Sequence, residues 1–261
     1  MDDSYPATKF ELQRKSWSKL RRLRPVAVDL ERIRLIRMAD PAALRDPGRL
    51  ANLILTLGLN DDGLSDYPVC LRPYCGQGLR IWQYPEEFGR YLAHLVRLNV
   101  RSYMEIGVRH GGTFVATVEC LARSGPLVAA VAVDIMPSPS VVQYARLNPS
   151  VRFLRVNTQS TAFDRALARM EPFDAVFVDA NHDEAECLHE VESVRQRCSA
   201  IALHDIANPD FPGVRRVWER ICRWRGYRHI EYVSDYSEPH LPMGIGLAVR
   251  TNGETGGGDG D

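Results

Sequence analysis

From about residue 100 onward, short apolar runs alternate with amphipathic runs of helical period. That alternation, more than any other feature, limits what this chain can fold into. The runs "RSYMEI", "LVAAVAVD", "VRFLRV", "FDAVFVDA" and "SAIALHD" are continuous in Val, Ala, Ile, Leu and Phe, as strands buried on both faces must be. Between them lie "GTFVATVECLARS", stopped by Gly125, then "STAFDRALARM", "EAECLHEVESVRQRC" and "GVRRVWERICRW". Strand and helix in alternation predict βαβ units and a parallel sheet with helices on both faces. The last two runs, "YRHIEYVS" and "GIGLAVR", are separated by only a short loop with no room for a crossover helix. They are expected to form an antiparallel hairpin at the sheet edge. The expectation is an α/β fold with a seven-stranded, mostly parallel sheet.

The first hundred residues have a different texture. "PEEFGRYLAHLVRL" places Pro85 at the first helical position and two acids in the first turn, with Phe88, Tyr91, Leu92, Leu95 and Val96 on one stripe. Three parts are expected: an N-terminal helical lid over 1–80, the main domain over 81–251, and a Gly- and acid-rich disordered tail over 252–261. The chain's 261 residues suit one sizeable core with an appendage. Residues 9–37 carry ten Lys or Arg against three acids, the bland reading being a solvated helix face. Formal net charge is zero, and the basic run is expected to lack interleaved exposed aromatics, which argues against a nucleic-acid surface. With no apolar stretch near the ~20 residues of a membrane helix and no hydrophobic leader, a cytoplasmic location is expected, without membrane partners. The six cysteines form no CxxC pair and read as buried, reduced thiols.

The chemistry begins at the end of the first core strand, in "EIGVRHGGT", residues 105–113. A dinucleotide fingerprint requires G-x-G-x-x-G, with its middle glycine against a pyrophosphate. Counted from Gly107, that place is Arg109, whose side chain would obstruct the approach. What remains is E-x-G-x-x-x-G-x-T: a glycine turn under the carboxylate of Glu105, with Gly107, Gly111 and Thr113 beside it. Such a turn admits a ligand close to the backbone, and the acid can receive a cationic amine. The next strand ends on Asp134, 27 residues after Gly107, where an acid can hold both hydroxyls of a ribose. The plain alternatives are a turn needed only for packing and an acid that starts a loop.

Glu105, the spaced glycines and Asp134 together resemble motif I and its following acid in the class I S-adenosylmethionine-dependent methyltransferases. The resemblance covers about residues 80–250 and implies a Rossmann-like fold and S-adenosyl-L-methionine as cofactor. In the small-molecule O-methyltransferases of that class, a hydroxyl and an amide after the third strand contact the adenine. In "VNTQST", Thr158 and Gln159 match those positions by type, and Ser160 could equally cap the next helix. "GLRIWQYPEEFGRYL" is similar to the cofactor-side helix entry of polysaccharide- and antibiotic-tailoring methyltransferases. That would set Trp82, Gln83 and Tyr84 near the cofactor mouth, against the alternative of a hydrophobic staple.

The fourth and fifth strands end on "DANH" and "LHDI". Adjacent parallel strands bring Asp179, His204 and Asp205 to the crevice where such sheets bind ligands, and two carboxylates with an imidazole can hold a divalent cation. The pattern resembles the catechol-type O-methyltransferases and the cephalosporin-hydroxylase-like group, whose strand ends supply oxygen ligands to magnesium. His204 departs from that pattern and suits a transition metal better. Side chains alternate along a strand, so His204 and Asp205 can both point inward only if the strand has ended. Asp179 is expected to serve the cofactor as well as the metal. His182 stands three residues beyond Asp179, where the catechol group carries a basic lysine, and is the candidate general base against the alternative of a surface hydrogen bond.

These readings predict metal-assisted O-methylation of a hydroxyl on a small molecule, such as a natural product or sugar. One alternative is a metal-dependent hydroxylase-like tailoring protein, with His182 and His204 in a two-His-one-carboxylate set. The other is an RNA-binding methyltransferase docking through residues 9–37. "DANH" replaces the "NPPY"-like tetrapeptide common in nucleic-acid N-methyltransferases, which counts against base methylation. The helical N-terminus would also allow exchange with a neighbour in a homo-oligomer.

Overall fold

A computed structural model describes residues 25–62 and 64–251. The basic run therefore lies partly, over 9–24, outside the described residues, as do the tail residues 252–261. Among the described residues three α-helices precede the sheet: α1 (Ile33–Met38), α2 (Pro47–Leu57) and α3 (Pro85–Arg97). Local chemistry sets their starts. Asp46 caps α2 by accepting from Arg49 N at 2.8 Å, with Pro47 at the first position. Pro85 opens α3, with Glu86 and Glu87 in its first turn, as expected.

The alternating unit then runs β1 (Ser102–Ile106), α4 (Gly112–Ser124), β2 (Ala129–Asp134), α5 (Pro139–Leu147), β3 (Val151–Arg155), α6 (Thr161–Ala168) and β4 (Phe173–Val178). It continues with α7 (Glu184–Arg195), β5 (Cys198–His204), α8 (Pro212–Ile221), β6 (Tyr227–Tyr232) and β7 (Ile245–Arg250). The seven strands lie in the order β3-β2-β1-β4-β5-β7-β6. The first five are mutually parallel, and β7 runs antiparallel to both β5 and β6. The sequence expectation of a mostly parallel seven-stranded sheet with an antiparallel C-terminal pair is met.

Three details differ. α5 went unread because the apolar residues of "PSVVQYARL" do not keep to one face: Val142 and Leu147 are exposed, and the buried positions are Val141 and Tyr144 with Ser140. α7 stops at Arg195, so Cys198 begins β5 rather than ending a helix. The thiols of Cys120, Cys187 and Cys198 are buried, but Cys70 and Cys222 are exposed; all six are free.

The two faces of the sheet are unlike. On one, the strands present Ala130, Ala132, Ala175, Ala200 and Ala202, together with Tyr103 and Phe177. Small side chains let α3 press close, and Tyr91 meets Phe177 with ring centroids 5.3 Å apart. Leu30, Ile33, Ile36, Leu50 and Ile54 from the N-terminal segment belong to this same core. The other face presents Met104, Ile106, Val131, Val133, Val176, Val178, Ile201 and Leu203 to α6, α7 and α8. Branched residues dominate that layer. β1 has β2 on one side and β4 on the other, so the chain reverses its winding there and opens a crevice above their C-terminal ends.

Candidate functional site

The glycine turn sits at this switch point. Gly107 and Gly111 have φ of +89° and +92°, where only glycine is unstrained. A Cβ on Gly107 would also stand 2.7 Å from Cα of Ala180, and one on Gly112 would stand 2.8 Å from the carbonyl carbon of Leu79. The close neighbours of these glycines are thus backbone at the end of β4 and in the 57–84 segment. Arg109 is also left-handed, with φ of +42°. Its guanidinium lies 4.3 Å from the Trp82 ring centroid and 2.6 Å from Asp62 Oδ2. His110 accepts from Val26 N at 3.0 Å through Nδ1, so Nε2 carries the proton that reaches the same Asp62 oxygen at 2.9 Å. Burial lowers the pKa of His110 and favours this neutral tautomer. Arg109, an obstruction in the sequence reading, here fastens the N-terminal segment over the turn.

The acids take separate roles. Glu105 is 1% exposed, and its Oε2 accepts from the Tyr103 hydroxyl at 2.7 Å. Burial pushes its pKa well up, and the nearby charges of Asp179 and Asp134 add to the shift. Asp134 accepts three backbone amides, from Val108 at 3.0 Å, Arg109 at 2.7 Å and Met136 at 2.7 Å. It therefore holds the glycine turn, a task its spacing did not reveal. Thr113 lies in the first turn of α4, close enough to take a weak bond from Trp82 N at 3.4 Å. Thr158 and Gln159 follow β3. The Thr158 hydroxyl donates to Glu190 at 2.6 Å, and the Gln159 amide donates to the Glu186 carbonyl at 3.2 Å.

On the other side of the crevice Asp179, His204 and Asp205 converge, as their strand ends predicted. β5 stops at His204, and Asp205 takes φ of +60°. This left-handed residue breaks the alternation, so both side chains turn to the same centre. Asn208 Nδ2 donates to Asp205 Oδ1 at 2.9 Å and helps hold it there. His204 Nδ1 is 3.1 Å from Asp179 Oδ1 and 3.4 Å from Asp205 Oδ2, and His182 Nε2 is 2.9 Å from the same Asp205 oxygen. Gln83 Nε2 donates to Asp179 Oδ2 at 3.1 Å, while its Oε1 is buried without a partner among the described residues. Burial alone would lower the His204 pKa, but Asp179 and Asp205 outweigh it and raise the value well above the ordinary one. Burial would likewise raise Asp205, and His204 with His182 instead holds it far below the usual carboxylate range.

Among the described residues, Asp179, His204 and Asp205 form a donor set whose ligand atoms lie within 4.8 Å of one another. The 3.1 and 3.4 Å separations approach the edge of about 3 Å in an octahedron with ~2.1 Å bonds, so oxygen and imidazole donors here fit a divalent cation. A cationic ligand also fits the glycine-turn side, where the carboxyls of Glu105, Asp134 and Asp179 interact across one crevice and a cation would favour the ionised form of Glu105. His182 stacks on Phe211 with centroids 4.0 Å apart. A cleft of about 540 Å³ opens beside it, between the N-terminal ends of α7 and α8. Gln83 was placed by resemblance, and Glu190 and Asn208 were missed. Glu190 left one readable trace: an acid on the buried stripe of Cys187, Val191 and Val194.

Comparison with known proteins bears on the fold and on one segment of the chain. Residues 104–206 match a family model described as a methyltransferase domain. No curated protein sequence matches the chain. Among solved structures, the O-methyltransferase TomG from Streptomyces achromogenes, involved in tomaymycin synthesis and in complex with SAM, is similar at 19% identity and a TM-score of 0.51. The match covers 65% of this chain and 81% of that one. An O-methyltransferase from Bacillus cereus in complex with SAH is similar at 18% identity and a TM-score of 0.47, over 60% and 77% of the two chains. At 19% identity the likeness to TomG speaks to the fold alone, and the family model to residues 104–206. The matched segment is thus similar to a methyltransferase domain, and the likeness to TomG is one of fold. Within this chain the matched segment runs from β1 to just past β5, so it contains both halves of the crevice.

Proposed function

We propose that this chain methylates a hydroxyl of a small molecule, such as a natural product or sugar, with a divalent cation held by Asp179, His204 and Asp205. The convergence of those three side chains beside the glycine turn supports this reading most directly. When bound, S-adenosylmethionine supplies a methyl group on a sulfonium, and the cation supplies positive charge that acidifies an acceptor hydroxyl. Glu105 lies beneath the turn; burial raises its pKa, and a bound cofactor's ammonium above it would favour the ionised carboxylate. Asp134 keeps lone pairs beside its amide bonds for the ribose hydroxyls, and Thr158 and Gln159 face the base. Asp205 fixes the ring of His182. With Nε2 donating to that carboxylate, Nδ1 is left to take the acceptor's proton. The 540 Å³ cleft beside His182 is within the usual size for a small-molecule site. Residues 57–84 close the crevice through Arg109 and Gln83 and exclude water.

The test is labelled S-adenosylmethionine with a panel of hydroxyl acceptors, before and after chelation and with single metals restored. Label should pass to an acceptor hydroxyl, cease on chelation and return with a metal. Absence of S-adenosylhomocysteine binding would remove the cofactor reading. Undiminished transfer after chelation would remove only the metal, leaving His182 and Asp205 as a metal-free base. A hydroxylase is the second reading, favoured by one observation: two imidazoles contact the same Asp205 oxygen. Oxygen consumption with iron, and no label transfer, would establish it instead.

A further inference from the structure

Glu190 is fully buried, and nothing in the proposed chemistry uses it. It shares a face of α7 with Cys187, Val191 and Val194, where a carboxyl is costly unless it is hydrogen-bonded. Its bonds reach two places in the crevice wall. The Thr158 hydroxyl donates to Oε1 at 2.6 Å, Asn181 Nδ2 donates to the same oxygen at 2.7 Å, and Asn181 N approaches Oε2 at 3.5 Å. A threonine hydroxyl has one proton and two lone pairs. With that proton committed to Glu190, Thr158 Oγ1 can only accept. Gln159 is biased the same way, since its amide nitrogen donates to the Glu186 carbonyl and leans on Thr158 Oγ1 at 3.5 Å. The group it has left to offer is its carbonyl oxygen.

We propose that Glu190 is a positioning residue that turns the segment after β3 into a pair of hydrogen-bond acceptors. It thereby selects a purine with an amine at C6 over one with a carbonyl there. The inference rests on the proposed cofactor reading, in which Thr158 and Gln159 face the base. Adenine presents two N–H donors at C6, whereas hypoxanthine presents an oxygen that would oppose both acceptors and leave them desolvated and unpaired.

Calorimetry on the full chain would compare S-adenosylhomocysteine with its deaminated counterpart, S-inosylhomocysteine. The wild type should prefer the adenine compound at least ~10-fold, the scale expected when buried acceptors meet the wrong group. In Glu190→Ala the Thr158 proton is free to turn toward the ligand, and the preference should fall to within about threefold. Glu190→Gln keeps an oxygen able to accept from both Thr158 and Asn181, so it should retain the wild-type ratio. Thr158→Val should lose the preference, and adding Glu190→Ala to it should lower the ratio no further.

A merely structural Glu190 would weaken both ligands equally in the alanine variant and leave the ratio unchanged, which overturns the proposal. Should that variant not fold, an unaltered ratio in Thr158→Val overturns it equally. A wild type that binds both compounds alike refutes the selection while preserving the cofactor reading. One that binds neither refutes the cofactor reading itself.

Discussion

Asp134 and Asp205 both end a strand at the same crevice, yet they are held in opposite ways. Asp134 on the glycine-turn side is held by three backbone amides, donors whose protons do not titrate. Asp205, on the β4–β5 side, is held by two imidazoles and one amide side chain. An amide-bound carboxylate is scaffold: it shapes the turn whatever else is bound. A carboxylate bound by imidazole can exchange partners, because an imidazole can give up its proton and become a metal ligand. One half of the crevice is therefore built to persist and the other to change its charge state.

The largest test of this contrast is to remove each acid. Asp205→Ala should lower methyl transfer by ~100-fold or more, by analogy with the cost of disturbing a metal's support. S-adenosylhomocysteine affinity measured by calorimetry should change only a few-fold. Asp134→Ala should do the reverse in kind: three charge-assisted backbone bonds are lost, at roughly 1.5–3 kcal/mol each before relaxation. A loss of several kcal/mol in urea unfolding, accompanied by weakened cofactor binding, is expected. If Asp134→Ala unfolds like the wild type and loses only affinity, the scaffold role is wrong.

His182→Ala sharpens the comparison within the exchangeable half. As a general base it is worth ~10²–10⁴ in rate, and the loss should appear in kcat with cofactor affinity unchanged. A variant that transfers methyl at the wild-type rate would reduce His182 to a neighbour of Phe211.

A smaller effect concerns pH and the metal-free protein. The folded pKa of His204 is raised, so its stabilising contribution is complete below the ordinary value of 6.5 and is lost as pH climbs toward the raised one. The folded pKa of Asp205 is depressed, so its contribution is complete above 3.8 and is lost as pH falls. The metal-free melting temperature should therefore decline on the alkaline side, and His204→Gln should flatten that decline. Burial also raises the folded pKa values of Glu105 and Asp134, so the other half adds a decline in the same direction. Only the difference between wild type and His204→Gln reports on His204, and an unchanged slope in that variant would break the distinction.

The smallest effect lies away from the crevice, where the N-terminal segment is pinned to the core. Arg37 makes two bonds to buried Glu119, at 2.8 and 2.7 Å, and Tyr144 donates to the same carboxylate at 2.8 Å. Arg37 is half exposed and Tyr144 remains as a partner, so Arg37→Ala should cost about 1 kcal/mol. A fully folded core with unchanged activity is the expected companion.

Much of this was legible because strand and helix periods differ. The five parallel strands were readable from continuous apolar runs, and α4 from its glycine stop at Gly125. α5 was not, because half of its surface faces water and its buried positions include Ser140. The position of β7 between β5 and β6 was equally hidden, since a hairpin can join a sheet by either strand. In the site, Asp179, His204 and Asp205 were legible as polar residues closing apolar strands. Glu190 and Asn208 were not, because their importance lies in what they touch across 32 and 3 residues of chain respectively.

By itself the sequence determined the alternation, and hence the sheet, the crevice and the acids at its rim, because apolar periodicity decides which residues are buried together. Only the tertiary structure decided what each acid is bonded to. The left-handed turn at Asp205 brings two neighbouring side chains to one centre, and the close packing of Gly107 and Gly112 against backbone gives the turn its shape. Such contacts depend on atoms distant in sequence, so no spacing along the chain encodes them.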